Sequence, residues 1–176
     1  GRHSSPTARA SAPGRCRWAR RASLVCLRGA GKSRAAASLA WCWAMVAVSL
    51  WVFAPSLLQG VVAGVFWHAH EMFWGFIAAI TVGFLLTATS NWTGMNPLQG
   101  PALGALVLLW ATARLGFLWP GAIAFAVAST ADLLFIAMAA LAIGRCLLAR
   151  QSRHNYLLVL LLLGIGSANA AYLYAC

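Results

Sequence analysis

From residue 36 onward the chain alternates long apolar runs with short polar breaks. The runs lie near 36–57, 66–90, 101–119, 121–143 and 156–175, each close to the roughly 20 residues that cross a bilayer as a helix. Lipid offers no partner for an unpaired backbone N–H or C=O, so runs of this kind are read as helices. The breaks carry the expected punctuation. Gln59-Gly60 separates the first two runs, Asn91 to Pro101 the next two, and Arg150 to Asn155 the last two. Pro120-Gly121 leaves so little chain between the third and fourth that they form a close antiparallel hairpin. Trp67 and Trp92 bracket the second run, as interfacial aromatics do. The fold class this predicts is all-α, a polytopic transmembrane bundle, with five spans in residues 35–176.

Composition agrees with that pattern. Hydrophobic residues make up 62% of the chain and charged residues 9%, too few to cover a soluble domain. The charge is segregated. Residues 1–34 hold nine of the thirteen basic residues and no acid, while Arg114, Arg145, Arg150, Arg153, Glu71 and Asp132 are all that follow. The tail reads as disordered, a cytoplasmic extension or a leader, because it has little apolar area to offset ordering entropy. Its Arg20-Arg21 pair lacks the apolar stretch of a twin-arginine signal. A net charge of +11 invites a nucleic-acid reading, but it describes a tail rather than a folded basic face. Four spans separate the tail from the basic loop around Arg150 and Arg153, so both lie on one side. The positive-inside rule makes that side cytoplasmic and puts His68, His70 and Glu71 at the outer edge of the second span. Cys16, Cys26, Cys42, Cys146 and Cys176 form no C-x-x-C pair and read as free thiols.

The second span concentrates the unusual chemistry. Glu71, Gly75, Ala79, Gly83 and Thr87 recur at four-residue steps, a stripe of mainly small residues that admits either a packed helix or a flat cofactor. His68 and His70 precede it. Residues two apart differ by about 200° around a helix, so the pair cannot face one metal from a regular turn. Either one of them sits before the helix begins, or the two imidazoles face different partners. Imidazole suits haem iron, copper and zinc, and Glu71 is near enough to hold the second ring nitrogen of a ligating histidine. The competing reading is an interfacial cluster in which Glu71 caps the first turn.

Three more polar residues lie inside apolar runs. Arg114 needs a carboxylate, a carbonyl or a propionate-like anion, and Glu71 or Asp132 is its first expected partner. Asp132 is then either protonated or paired with Arg114. Asn169 reads as an interhelical hydrogen bonder, and His154 as a solvated loop residue. Phosphate-loop, serine-hydrolase and zinc-protease motifs are missing; Trp74 stands where H-E-x-x-H needs its second histidine.

One longer pattern remains. Trp67-His68-Ala69-His70-Glu71-Met72, Gly75-Phe76, Gly83-Phe84-Leu85-Leu86-Thr87-Ala88, Asn91-Trp92-Thr93-Gly94 and Pro97-Leu98 stand in fixed order over about thirty residues. Together they resemble the NnrS family, with weaker similarity running from about residue 61 to 172. That resemblance implies a bacterial inner-membrane protein of about twelve spans, of which this chain would hold five. It implies haem and copper as cofactors and a role in the nitric oxide response, in nitrosative stress or denitrification. Nitric oxide or a metal nitrosyl is the implied small-molecule partner. His68 and His70 fall on the family's His-Ala-His and become the candidate metal ligands. Glu71, Gly75, Gly83 and Arg114 are candidate cofactor contacts, and no defined catalytic reaction is implied. The main rival is a transporter or channel lined by Glu71, Arg114 and Asp132; a purely structural subunit is a third reading.

Overall fold

A computed structural model describes residues 38–58, 62, 64–151 and 155–175. The basic tail, Arg153, His154, Cys16, Cys26 and Cys176 lie outside them. Among the described residues there are five helices and no strand. We number them α1 (Ser38–Phe53), α2 (Gly64–Thr93), α3 (Pro101–Gly116), α4 (Ala122–Ala149) and α5 (Tyr156–Ala175).

Helix ends follow local chemistry. Pro55 disfavours helical backbone at the residue before it, and Ala54 adopts φ −140°, ψ 52°, so α1 stops at Phe53 and a single 3-10 turn, Pro55–Leu57, follows. Gly94 takes the left-handed conformation, φ 67°, and its N–H closes α2 on the Ser90 carbonyl at 3.0 Å. Pro101 starts α3 at a position where its missing N–H costs nothing. Beyond Gly116 the chain tightens through bonds from Leu118 N–H to Leu115 O and Trp119 N–H to Gly116 O before Pro120 ends the turn.

Those ends correct the expected spans. Helices α2, α4 and α5 are long and apolar enough to cross a membrane, at 30, 28 and 20 residues. Helices α1 and α3 fall short of the runs expected at 36–57 and 101–119. Each has 16 residues, or about 24 Å of helix against a hydrocarbon core of about 30 Å. In both, the apolar run continues past a proline-directed turn that ends the helix. Helix α4 errs the other way. It passes Ile143 and keeps going through Gly144 and the exposed Arg145, since a helix does not need apolar residues to propagate. The chain is a membrane protein with an all-α bundle.

The bundle is apolar outside and ionic inside. Phe53, Phe84, Leu108, Ile123, Leu141 and Leu157 are more than 60% exposed, while Glu71, Asp132 and Asn169 are fully buried. That is the arrangement for a lipid solvent, where outward-facing apolar side chains cost nothing and ions must face inward. Two apolar layers fill the interior. One contains Val82, Leu85, Leu106, Trp110, Phe135 and Leu162. The other contains Ala47, Leu58, Trp67, Phe117, Ala128 and Leu173. Trp67, expected at the membrane interface, is instead 1% exposed within the second layer; Trp92 is half exposed, as expected.

The α3–α4 hairpin packs as closely as its short connection requires. A Cβ placed on Gly116 would lie 2.8 Å from the Ala128 Cβ and 3.3 Å from the Ala124 carbonyl. Gly83 meets nothing within 4 Å. Gly116→Leu is therefore expected to destabilise the bundle by about 1–3 kcal/mol. Gly83→Ala is expected to be neutral or stabilising by up to about 1 kcal/mol. Thermal unfolding in detergent compares the two directly.

Candidate functional site

Helix α2 begins at Gly64, so His68, His70 and Glu71 all lie on helical backbone near its start, and neither histidine precedes the helix. From Glu71 to Ile77 the helix widens into a π-helical stretch. The i→i+5 spacing turns each residue through a smaller angle, which shifts the buried face. From Glu71 onward the buried residues of α2 are Glu71, Gly75, Ala78, Val82, Leu85, Ala88, Thr89 and Thr93, preceded by Trp67 and His70. The expected stripe of Glu71, Gly75, Ala79, Gly83 and Thr87 holds only at its first two positions. A strict four-residue step drifts by about 40° each time, so Thr87 ends on the exposed side.

Glu71 and Gly75 frame an ion pair. Arg114 of α3 is 1% exposed and donates from Nη1 to both Glu71 carboxylate oxygens at 3.1 Å. From Nη2 it donates to Asp132 Oδ1 of α4. Gly75 is where this can happen, because a Cβ there would stand 2.6 Å from Arg114 Nη1 and 2.8 Å from Glu71 Oε2. The small residue admits a guanidinium. Trp110 of α3 donates its indole N–H to the Gly75 carbonyl at 2.8 Å, tying down the same stretch.

The network then closes on itself. Asn169 of α5 donates from Nδ2 to Asp132 Oδ2 at 2.7 Å. Its Oδ1 is left for His70, whose Nε2 donates to it at 3.1 Å. His70 Nδ1 faces Glu71 Oε1 at 3.4 Å, which returns the chain of contacts to its start. From α1, Trp43 donates its indole N–H to Glu71 Oε2 at 2.6 Å. All five helices thus contribute a side chain to one buried ring, and each carboxylate oxygen has at least one partner. Trp74, Phe117 and Tyr172 enclose His70, with ring centroids 4.7–5.8 Å away.

The two histidines are in different environments, as their spacing requires. His70 is 1% exposed, and neither ring nitrogen is free. His68 is only partly buried and stacks on Trp51 of α1, centroids 4.4 Å apart and planes within 14°. Its buried Nδ1 has no hydrogen-bond partner among the described residues, and neither has the buried Nε1 of its neighbour Trp67. Among the described residues, no group of three or more His, Cys, Asp or Glu side chains is placed to hold a metal. Of the two histidines, only His68 has a buried ring nitrogen without a partner among the described residues.

Residues 34–176 match the family model described as NnrS protein. The chain belongs to the NnrS family. No curated protein and no solved structure matches it. Within this NnrS chain the structure brings His70, Glu71, Gly75 and Arg114 together, and places His68 and Gly83 apart from them. Asn169, expected only as a hydrogen bonder, links α5 to the ring. Trp43, Trp74, Trp110 and Tyr172 were not anticipated, since a lone aromatic in an apolar run carries no signal of its polar edge. The transporter reading loses its lining, because Glu71, Arg114 and Asp132 are buried against one another rather than facing a path.

Removing one member of such a ring leaves an uncompensated charge in an apolar interior. Arg114→Leu is expected to destabilise this NnrS protein by about 3–5 kcal/mol. Combined with Glu71→Gln and Asp132→Asn, it should cost less than the sum of the separate effects. Chemical unfolding of the single and combined variants in detergent measures that coupling.

Proposed function

We propose that this chain is a haem- and copper-binding protein of the bacterial inner membrane that acts in the nitric oxide response, its N-terminus cytoplasmic. The observation that carries the reading is the division between the two histidines. His70 is held in the ionic ring, whereas His68 keeps an unmet imidazole nitrogen within the segment that matches the family. In this reading His68 presents imidazole to the metal, and His70 fixes the helix that carries it. Trp51 lies flat against the His68 ring and holds its plane. His68 would hold a haem iron or copper ion there, and such a metal would supply the chemistry that binds a small diatomic ligand.

The protein's own contribution is rigidity. Glu71, Arg114, Asp132, Asn169 and His70, with Trp43 of α1, hold α2 against its four neighbours two residues from His68, so the ligand is presented from a fixed helix. Arg114 serves as the ring's cation and not as a cofactor contact.

His68→Ala is expected to lower haem or copper content of the purified membrane protein by at least about tenfold, in line with loss of a direct ligand, and to leave its unfolding temperature nearly unchanged. His70→Gln is expected to lower the unfolding temperature while retaining metal. Absorbance in the Soret region and metal analysis read both variants. Unchanged haem and copper in His68→Ala would rule out the assignment.

A further inference from the structure

We propose that Trp67 is a positioning residue for His68, and that one oxygen acceptor receives hydrogen bonds from both the Trp67 indole N–H and the His68 Nδ1–H. The indole Nε1 can only donate, so whatever meets it accepts. Trp67 is 1% exposed, and its Nε1 and the adjacent His68 Nδ1 are both buried and unpartnered. Trp51 connects them. It packs against the apolar layer that contains Trp67 and stacks in parallel on His68. The carboxylates nearest in sequence and space are already taken, since Glu71 and Asp132 are consumed by Arg114, Asn169, His70 and Trp43.

The consequence concerns which ring nitrogen carries the proton. A shared acceptor at Nδ1 favours the Nδ1–H tautomer of neutral His68 and leaves the Nε2 lone pair available. A ligating histidine commonly gives its second N–H to an oxygen in this way. The link to a metal rests on the reading of His68 given above; the tautomer rests on it only where the acceptor is a haem carboxylate. The acceptor has two sources with the same chemistry, an ordered water or the carboxylate of a bound haem.

The test uses the full chain, labelled with ¹⁵N in histidine and tryptophan, in lipid bilayers and free of haem and copper. His68→Ala identifies the His68 signals. Solid-state NMR should find His68 mainly as the Nδ1–H tautomer, with the Trp67 indole proton at a hydrogen-bonded shift. In Trp67→Phe, which keeps an aromatic ring but removes the donor, the ratio of Nδ1–H to Nε2–H is expected to fall about fivefold, near the worth of one hydrogen bond. The His70 signals should stay in place and report that the ring is intact. If a carboxylate is the acceptor, the same signatures emerge only after haem is added; if water is, they are present without it. A free-indole shift for Trp67 both without and with haem, read in the unmutated protein, overturns the proposal even where Trp67→Phe does not fold. So does an unchanged His68 tautomer ratio in a folded Trp67→Phe under both conditions. The haem reading is judged separately, by metal content in His68→Ala.

Discussion

A guanidinium held in an apolar interior sets the terms for the rest of this molecule. Arg114 cannot shed its charge and cannot reach water from the middle of α3, so two carboxylates must come to it. Glu71 arrives from α2 and Asp132 from α4. Two acids around one base leave oxygens that still need donors, and the remaining helices supply them. Trp43 of α1 and Asn169 of α5 each give an N–H, and His70 bridges Asn169 back to Glu71. The ring lies between the two apolar layers. Along α3, Trp110 belongs to one layer and Phe117 to the other, with Arg114 between them. Along α4, Phe135 and Ala128 flank Asp132 in the same way. A layer of ions between two layers of hydrocarbon meets every oxygen of its two carboxylates only in this register, so it selects that register over slipped alternatives.

The widened turn of α2 is part of this solution. A regular helix of the same sequence would hold a four-residue stripe for only a turn or two before it drifted off the buried face. The π-helical stretch from Glu71 to Ile77 instead carries the buried face from Glu71 and Gly75 onto Ala78 and Val82. Gly75 provides room for the guanidinium, and Trp110 bonds the Gly75 carbonyl. Trp43 and Trp110, which the sequence did not single out, therefore act as hydrogen-bond donors to the core.

The sequence made the bundle legible because burial in lipid demands long apolar runs, and it made the polar centre legible because ions are rare inside them. Arg114, Asp132, Glu71 and Asn169 each stood out for that reason. Their pairing was only partly readable. A charge announces that it needs a partner, but the choice among partners depends on helix rotation, and rotation here depends on a π-helical turn with no sequence signature. The same gap explains Gly83, which belongs to the motif but faces open space. It explains Trp67 as well, whose place beside an apolar run suggested an interface and not a core. Helix ends were misread where hydropathy and backbone chemistry disagree, at Pro55 and at Gly144-Arg145.

The histidine pair shows what spacing alone can decide. An interval of two residues separates two imidazoles on any helix, and here it separates two kinds of work. His70 turns inward, where aromatic rings and oxygen acceptors occupy every side of it. That environment suits a fixed structural member, because both ring nitrogens already face a partner. His68 turns toward α1, where it has a stacking partner but an unmet nitrogen. The first histidine's bonds give the second its rigid mounting, because both ride on one short stretch of α2 whose rotation the ring determines. A His-Ala-His motif on a continuous helix thus turns its two imidazoles toward different partners and does not present them as a chelating pair.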